Sequence, residues 1–375
     1  MGSRGRGDRV GGRVRALIPE QHLSLAATAV ASSAPLRLER VRLADVDGTA
    51  LDAAPDRLLF QTREWLEFLA RTQRAEPVVA RVLAGRTCVG NFTGLIVRRC
   101  GLRILGSPFP GWTTDYMGFN LEPGVDRRHA ALALARFAFG PLRCVHLELK
   151  DRYLPEGALD GLGFASTRTL TYEADLTAAE SALFGAMSSA CRRAVRKAEK
   201  SGVTIETCTD ESFAADYYRQ LCDVFAKQAL VPTYGVERVR ELIRCLVPSG
   251  RLLLVRALAP DGRSIATAIF PAFGSTAYFW GGASLRSDQL LRPNELIFWY
   301  AMRFWRDRGM STLDFGGAGD YKRKYGGSEL WVPWYRRSRL PGMLALRDAA
   351  KAVTDWRQRR AGSQLCGDGG AGSSS

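Results

Sequence analysis

Apolar positions along the chain recur at two spacings, and the change from one to the other marks its elements. In residues 211–229 (ESFAADYYRQLCDVFAKQA), Phe213, Tyr217, Leu221 and Phe225 recur every fourth residue, which predicts a helix with one buried stripe. Residues 235–247 (GVERVRELIRCLV) predict a second helix, stopped near Pro248. A short strand precedes the pair at 202–209 (GVTIETCT). Three strands follow it. RLLLVRAL is joined to SIATAIFPAF by the turn Pro260-Asp261-Gly262, and Gly274-Ser275 leads into TAYFWGGAS at 276–284. Residues 293–309 are apolar around almost the whole helical circumference, which predicts a helix buried between a sheet and a further layer. Pro293 suits its first position and Gly309 its C-terminal cap. The strand MSTLDFGG comes next, ending at Asp314.

The first half repeats this order. LRLERVRL predicts a strand and 62–73 (TREWLEFLARTQ) a helix. PVVARVL and TCVGNFTGLIVRR form a hairpin across Ala84-Gly85, and GLRILGSP and TTDYMGFNL read as further strands. DRRHAALALARFAFG is a helix and 144–150 (CVHLELK) a strand. The economical fold class is α/β (α+β), with two tandem copies of one unit meeting near residues 150–175, each a mixed, mostly antiparallel sheet flanked by helices. The expected division is a disordered Arg/Gly- then Ala/Ser-rich leader at 1–35, units at 36–170 and 171–345, and a helix remnant with a flexible tail at 346–375.

Composition narrows the chemistry. The chain has 375 residues, enough for two such units, and a net charge of +15, which favours an anionic partner: phosphate, nucleic acid or an anionic membrane surface touched peripherally. Eight cysteines are scattered without a C-x-x-C pair, so neither a metal site nor a disulfide framework is expected, and a reducing, cytoplasmic setting fits. Three histidines, none in an H-E-x-x-H or beside a G-x-S-x-G, leave little material for histidine chemistry. No apolar run is long enough for a transmembrane helix.

Cations then cluster at two places. In 188–206 (SSACRRAVRKAEKSGVTIE), Met187, Ala190, Cys191, Ala194, Val195 and Ala198 are expected to face the core. Arg192, Arg196 and Lys200 line an outer stripe, with Arg193 and Lys197 beside it. Lys197 and Lys200 suit the helix C-terminus, but cations in the first turns cost about 0.3–1 kcal/mol. Arg192 and Arg193 are therefore either part of a solvated face or a site for phosphate. The second cluster is 313–327 (LDFGGAGDYKRKYGG), where glycines follow a buried-looking strand and three cations stand between two tyrosines.

Four stretches in this order resemble GNAT acyltransferases, in particular the branch that holds the Fem-type aminoacyltransferases and the BioF2-like or CelD-like acetyltransferase domains. FQTREWLEFL (60–69) is similar to their opening motif, 188–206 to their basic helix and Gly-Val strand, YFWGGAS (278–284) to their central strand, and 313–327 to their aromatic-Lys-x-x-aromatic-Gly ending. The resemblance spans roughly residues 36–340. It implies transfer of an acyl or aminoacyl group from acetyl-CoA, another acyl-CoA or aminoacyl-tRNA to an amine of a cell-envelope, peptidoglycan or exopolysaccharide precursor, with no permanently bound cofactor. One departure stands out: the loop that usually holds the coenzyme A pyrophosphate reads RSDQLLRPNEL (286–296), without glycine, which leans toward the Fem-type branch.

On that resemblance Lys322 takes the family's lysine position, to neutralise a diphosphate or stabilise an oxyanion. Asp314 and Asp320 are the nearest acids in sequence to receive the amine proton, Asp314 having the alternative role of loop anchor. If 320–325 is extended, Arg323 and Lys324 face away from Lys322, while Tyr321 and Tyr325 are packing or rim residues. The irregular stretch 106–119 offers Asp115 and Tyr116 as acceptor contacts, and the 226–235 connection offers Lys227 and Tyr234 as an opposite wall. Trp280 and Asn294 complete the candidate substrate-binding set with Arg192, Arg193 and Arg196. Two alternatives stand beside the envelope enzyme: an acetyl-CoA-dependent N-acetyltransferase of a small molecule, and a non-catalytic nucleic-acid-binding protein using helix 188–200.

Overall fold

A computed structural model describes residues 35–227, 230–340 and 342. Apart from Pro35, the expected leader and the tail at 346–375 lie outside the described residues. Five strands and three helices come first: β1 (Leu36–Val41), α1 (Gly48–Asp52), α2 (Arg63–Gln73), β2 (Glu76–Ala84), β3 (Thr87–Arg99), β4 (Leu102–Ser107), β5 (Gly118–Leu121) and α3 (Arg127–Phe139). β6 (His146–Leu149), β7 (Ala165–Asp175), α4 (Glu180–Ala186), α5 (Ser189–Lys200), β8 (Thr204–Cys208), α6 (Ser212–Ala226) and α7 (Val236–Leu246) follow. The chain then runs through β9 (Leu252–Leu258), β10 (Ser264–Phe273), β11 (Thr276–Tyr278), β12 (Gly281–Ser284), α8 (Pro293–Arg306), β13 (Thr312–Asp314) and β14 (Ser328–Ser338).

All strands join one sheet in the order β1-β2-β3-β4-β6-β14-β7-β13-β11-β10-β9-β8, with β5 on β3 and β12 on β10. Only the β4–β6 and β11–β13 pairs are parallel. The sheet is thus mixed and mostly antiparallel, as expected. The last strand, β14, lies between β6 and β7, so residues 328–338 stitch the two halves of the sheet together.

Helices cover both faces. α3 packs with β1–β6 around Leu134, Phe137 and Leu147, and α5 and α8 pack with β9 and β10 around Val195, Phe298 and Phe270. α8 buries Leu296, Ile297, Phe298, Trp299, Met302 and Trp305, which its all-round apolar surface requires. A third cluster joins α2, α6 and α7 to the sheet. Phe60 is its hinge point. Fully buried, it meets Trp65 edge-on at 4.9 Å and Tyr278 of β11 at 4.8 Å.

The structure corrects three expectations. The strand expected over 276–284 breaks after Tyr278, because its first part pairs with β13 and its second part only with β10. The two strands therefore diverge beyond the bond from Phe279 N–H to the Asp314 carbonyl (2.8 Å), and a cleft opens between them. TTDYMGFNL is irregular up to Tyr116, with Thr113 at φ 51°; Met117 makes an isolated parallel bridge with Asp151, and only Gly118–Leu121 forms a strand. Residues 320–325 form a 3₁₀ turn, not an extended piece.

Phe60→Ala should cost about 3–5 kcal/mol by cavity formation, read as a lower urea midpoint. Leu290→Ala, at a side chain 72% exposed, should stay within about 0.5 kcal/mol.

Candidate active site

The cleft between β12 and β13 is organised by Asp314. Its carboxylate is fully buried and accepts from Thr171 Oγ1 of β7 (2.6 Å), Gly316 N–H (2.8 Å) and Tyr116 Oη of the 108–117 loop (2.9 Å), with Arg152 Nη1 at 3.8 Å. Three separate segments converge on one acid. The occupied oxygens make Asp314 the anchor of its loop, the alternative that the sequence left open. The turn then needs Gly316, at φ +60°, because a Cβ there would come within 3.2 Å of both Asp115 Oδ2 and the Phe279 carbonyl.

Asp115 is the acid with free capacity. It is only half-buried, and no donor among the described residues hydrogen-bonds its carboxylate. Burial, and then the charge of Asp314, push its carboxyl up to about 6, while Lys150 and Lys322 pull the other way. The two lysines reach this acid from distant parts of the chain, Lys150 just past β6 and Lys322 from the 3₁₀ turn. Lys322 is buried, its Nζ donates to the Gly317 carbonyl (3.0 Å), and burial pushes its ammonium down while Asp115 and Asp314 hold it up. Arg152 pairs with Glu173 through two bonds, one of 2.8 Å. Burial pushes Glu173 upward despite this pair.

A cavity of about 250 Å³ lies between β12, α8 and the 3₁₀ turn, walled by Phe279, Ile297 and Phe298 and edged by Asn294, Tyr321 and Lys324. Asn294 donates to Ser284 Oγ at 3.0 Å. A groove of about 380 Å³ is lined by Arg193, Lys197, Arg292, Glu295 and Lys324, and shares Lys324 with the cavity. Lys324 bonds Glu295 at 2.7 Å. α8 begins in the groove without a side-chain cap, and Arg292, at φ 61°, makes the left-handed turn ahead of it. A glycine-free loop thus still presents a bare helix N-terminus.

Of the sequence candidates, Lys322, Asp115, Tyr116 and Asp314 come together, and Asn294 and Arg193 line the adjoining cavity and groove. Arg192 instead turns back on the carbonyls of Gly185 (2.7 Å) and Met187, and Arg196 lies over the Phe184 ring at 5.3 Å. Ala190, expected in the core, is exposed and lines the groove. Asp320 is exposed and accepts from Tyr172 Oη at 3.3 Å. Tyr234 bonds Tyr217 Oη (2.9 Å) and packs on Trp280 (5.7 Å) in the α2–α6–α7 cluster, and Lys227 is exposed. Arg323 and Lys324 do face away from Lys322, toward Glu329 and Glu295. Tyr321 is a rim residue, 53% exposed, and Tyr325 stacks on Phe298 at 4.3 Å. Sequence reasoning missed Lys150, Arg152, Thr171 and Glu173. The available signal was Glu148 and Lys150 at alternate positions, on and just past the short strand β6 and directly before Asp151.

Residues 186–324 match the family model described as an acetyltransferase (GNAT) domain. No curated protein matches the chain significantly by sequence. Among solved structures, the fold is similar to that of FemX, at 14% identity over 79% of this chain and 96% of that one, with a TM-score of 0.64. It is also similar to a tandem GNAT protein from the clavulanic acid biosynthesis pathway (15% identity, 82% and 99% covered, TM-score 0.50). The C-terminal domain of a putative lysylphosphatidylglycerol synthetase from Agrobacterium fabrum is a third (12%, 81% and 94%, TM-score 0.51).

The raised carboxyl of Asp115 has a stability signature. The native state binds its proton more tightly than the unfolded chain, so its ionisation removes stability as pH rises from about 4 through about 6. Asp115→Asn should melt at a higher temperature than the wild type at pH 8, with the difference vanishing at pH 4.

Proposed function

We propose that this chain, a GNAT-superfamily N-acyltransferase with a Fem-like fold, moves an acyl or aminoacyl group from a phosphate-bearing carrier onto the amine of an envelope precursor. The observation that carries the reading is Asp115: a half-buried carboxyl pushed up to about 6 and flanked by two lysines, beside a cleft with a cationic approach. In this reading the chain divides into an acceptor-side unit at 36–170 and a donor-side unit at 171–345.

The donor's reactive end enters the cleft. A cavity of about 250 Å³ falls below the common range for whole drug-sized ligands, about 300–1,000 Å³. It suits an acyl or aminoacyl group, with the carrier left outside. The carrier's phosphates then lie along the groove, against Arg193, Lys197, Arg292 and the bare N-terminus of α8. The acceptor amine attacks the carbonyl carbon, and the carbonyl oxygen takes up the negative charge. Lys322 stabilises that oxyanion. Asp115 receives the proton the amine loses, a task that a carboxylate titrating near 6 performs at neutral pH. The intermediate collapses, the bond to the carrier breaks, and the departing oxygen or sulfur is protonated.

Aminoacyl-tRNA is the donor this reading favours, on the glycine-free 286–296 loop and the open cationic groove. The matched acetyltransferase domain favours the second reading, an acetyl-CoA-dependent enzyme. A thermal-shift comparison separates them: the true donor raises the melting temperature and the other leaves it unchanged.

Lys322→Ala should lower kcat about 10²–10³-fold, as for other oxyanion donors, with the fold intact. The wild-type kcat/KM should rise with pH through about 6 and level off, and Asp115→Asn should abolish that limb together with most activity. Full activity in Lys322→Ala would overturn the reading.

A further inference from the structure

Four cations are buried among the described residues: Arg57, Lys150, Arg238 and Lys322. Three have hydrogen-bond acceptors. Arg57 donates to the Gln61 carbonyl (2.7 Å), Arg238 to Thr113 Oγ1 (3.1 Å) and Lys322 to the Gly317 carbonyl (3.0 Å). Lys150, only 8% exposed, has none, and no carboxylate lies within ion-pair distance. Its neighbours are aromatic faces, Tyr116 at 4.9 Å and Trp334 of β14 at 5.6 Å. Trp334 Nε1 is itself buried without an acceptor.

The position is held firmly. Lys150 N–H donates to the Ser107 carbonyl (2.8 Å), and its own carbonyl accepts from Met117 N–H (3.2 Å), so both edges of its backbone are tied to the loop that carries Asp115. An ammonium with no protein acceptor in so narrow an opening is poorly solvated, and aromatic faces return only about 0.5–2 kcal/mol of that cost. Burial accordingly pushes its ammonium downward, with Asp115 and Asp314 opposing. Residue choice points the same way. Seven of the chain's 53 cationic residues are lysines, yet both cations facing Asp115 are lysine, the compact point charge and not the fork.

Lys150, like Asp115 and Lys322, lines neither the cavity beside α8 nor the cationic groove, and it stands on the 36–170 side of Asp115. Resting on the acyl-transfer reading above, we propose that Lys150 is a specificity residue of the acceptor side, whose ammonium receives an anionic oxygen of the incoming acceptor. The acceptor class is thereby an amine that also carries a carboxylate or a phosphate. Binding supplies the partner that the fold withholds, and it sets the amine beside Asp115.

The test needs neither the donor nor the acceptor. Protein labelled with carbon-13 at lysine Cε gives few resonances, and the Lys150 signal is the one lost in Lys150→Arg. In titrations at constant ionic strength, it should shift with millimolar inorganic phosphate or acetate, and its midpoint of titration should rise by half a unit or more. Acetamide should leave it in place. The stronger of the two anions tells a phosphorylated acceptor from a carboxylate one. The shift should persist in Lys322→Ala. A Lys150 signal unmoved by both anions overturns the proposal, as does a response that disappears in Lys322→Ala, which would assign the anion to that lysine. Failure of the acyl-transfer reading is visible separately, as activity retained in Lys322→Ala, and would not alter the anion response.

Discussion

The buried carboxylate of Asp314 is the constraint on which the cleft depends. One acid at the end of a three-residue strand gathers a hydroxyl from β7, a phenol from the 108–117 loop and a backbone N–H from its own turn. Removing it would leave Thr171, Tyr116 and Gly316 with unmet donors in a dry interior, each about 1–3 kcal/mol. Because these groups belong to segments about 140–200 residues apart in sequence, the same bonds that satisfy the acid also fix where Asp115 and Lys322 stand. A side chain committed to three hydrogen bonds thus sets the geometry for two that are less engaged.

The charges around it are nearly balanced but not fully paired. Arg152 and Glu173 neutralise each other, and Asp314 already accepts three hydrogen bonds. What remains is an acid and two lysines that feel each other through a partly dehydrated space without closing into salt bridges. Such an arrangement is unfavourable for folding and useful for chemistry, since unpaired groups with displaced titration are ready to accept a proton or steady an oxyanion. The cost is carried by the large apolar clusters on both faces of the sheet.

The donor side shows another route to a familiar end. Where glycines would let a loop wrap a phosphate, Arg292 adopts a left-handed turn and α8 starts without a cap. In the proposed reading, an anion held there would meet the helix terminus and the cations beside it. Lys324, tied to Glu295, stands where the groove meets the cavity.

Regular apolar spacing made most of the elements legible: the all-apolar α8, the stripe of α6 and the hairpin of β2 and β3 stand where periodicity puts them. Lys322 and Asp115 were legible as candidates because an aromatic-Lys-x-x-aromatic-Gly pattern and a Gly/Pro-rich loop single them out. β7 and β14 escaped notice because their inner faces carry Thr169, Thr171, Glu173 and Arg336 in place of a hydrophobic alternation, a polar lining that only a cleft explains. Lys150, Arg152 and Thr171 lie on or beside such strands, and beyond the alternate Glu148 and Lys150 nothing local distinguishes them from surface residues. The sequence by itself therefore determined the elements and the class of chemistry, because periodicity and turn residues act over a few positions. Which charges meet was decided only by the tertiary structure, since β14 must cross back between β6 and β7 before residues far apart in the chain can share one electrostatic field.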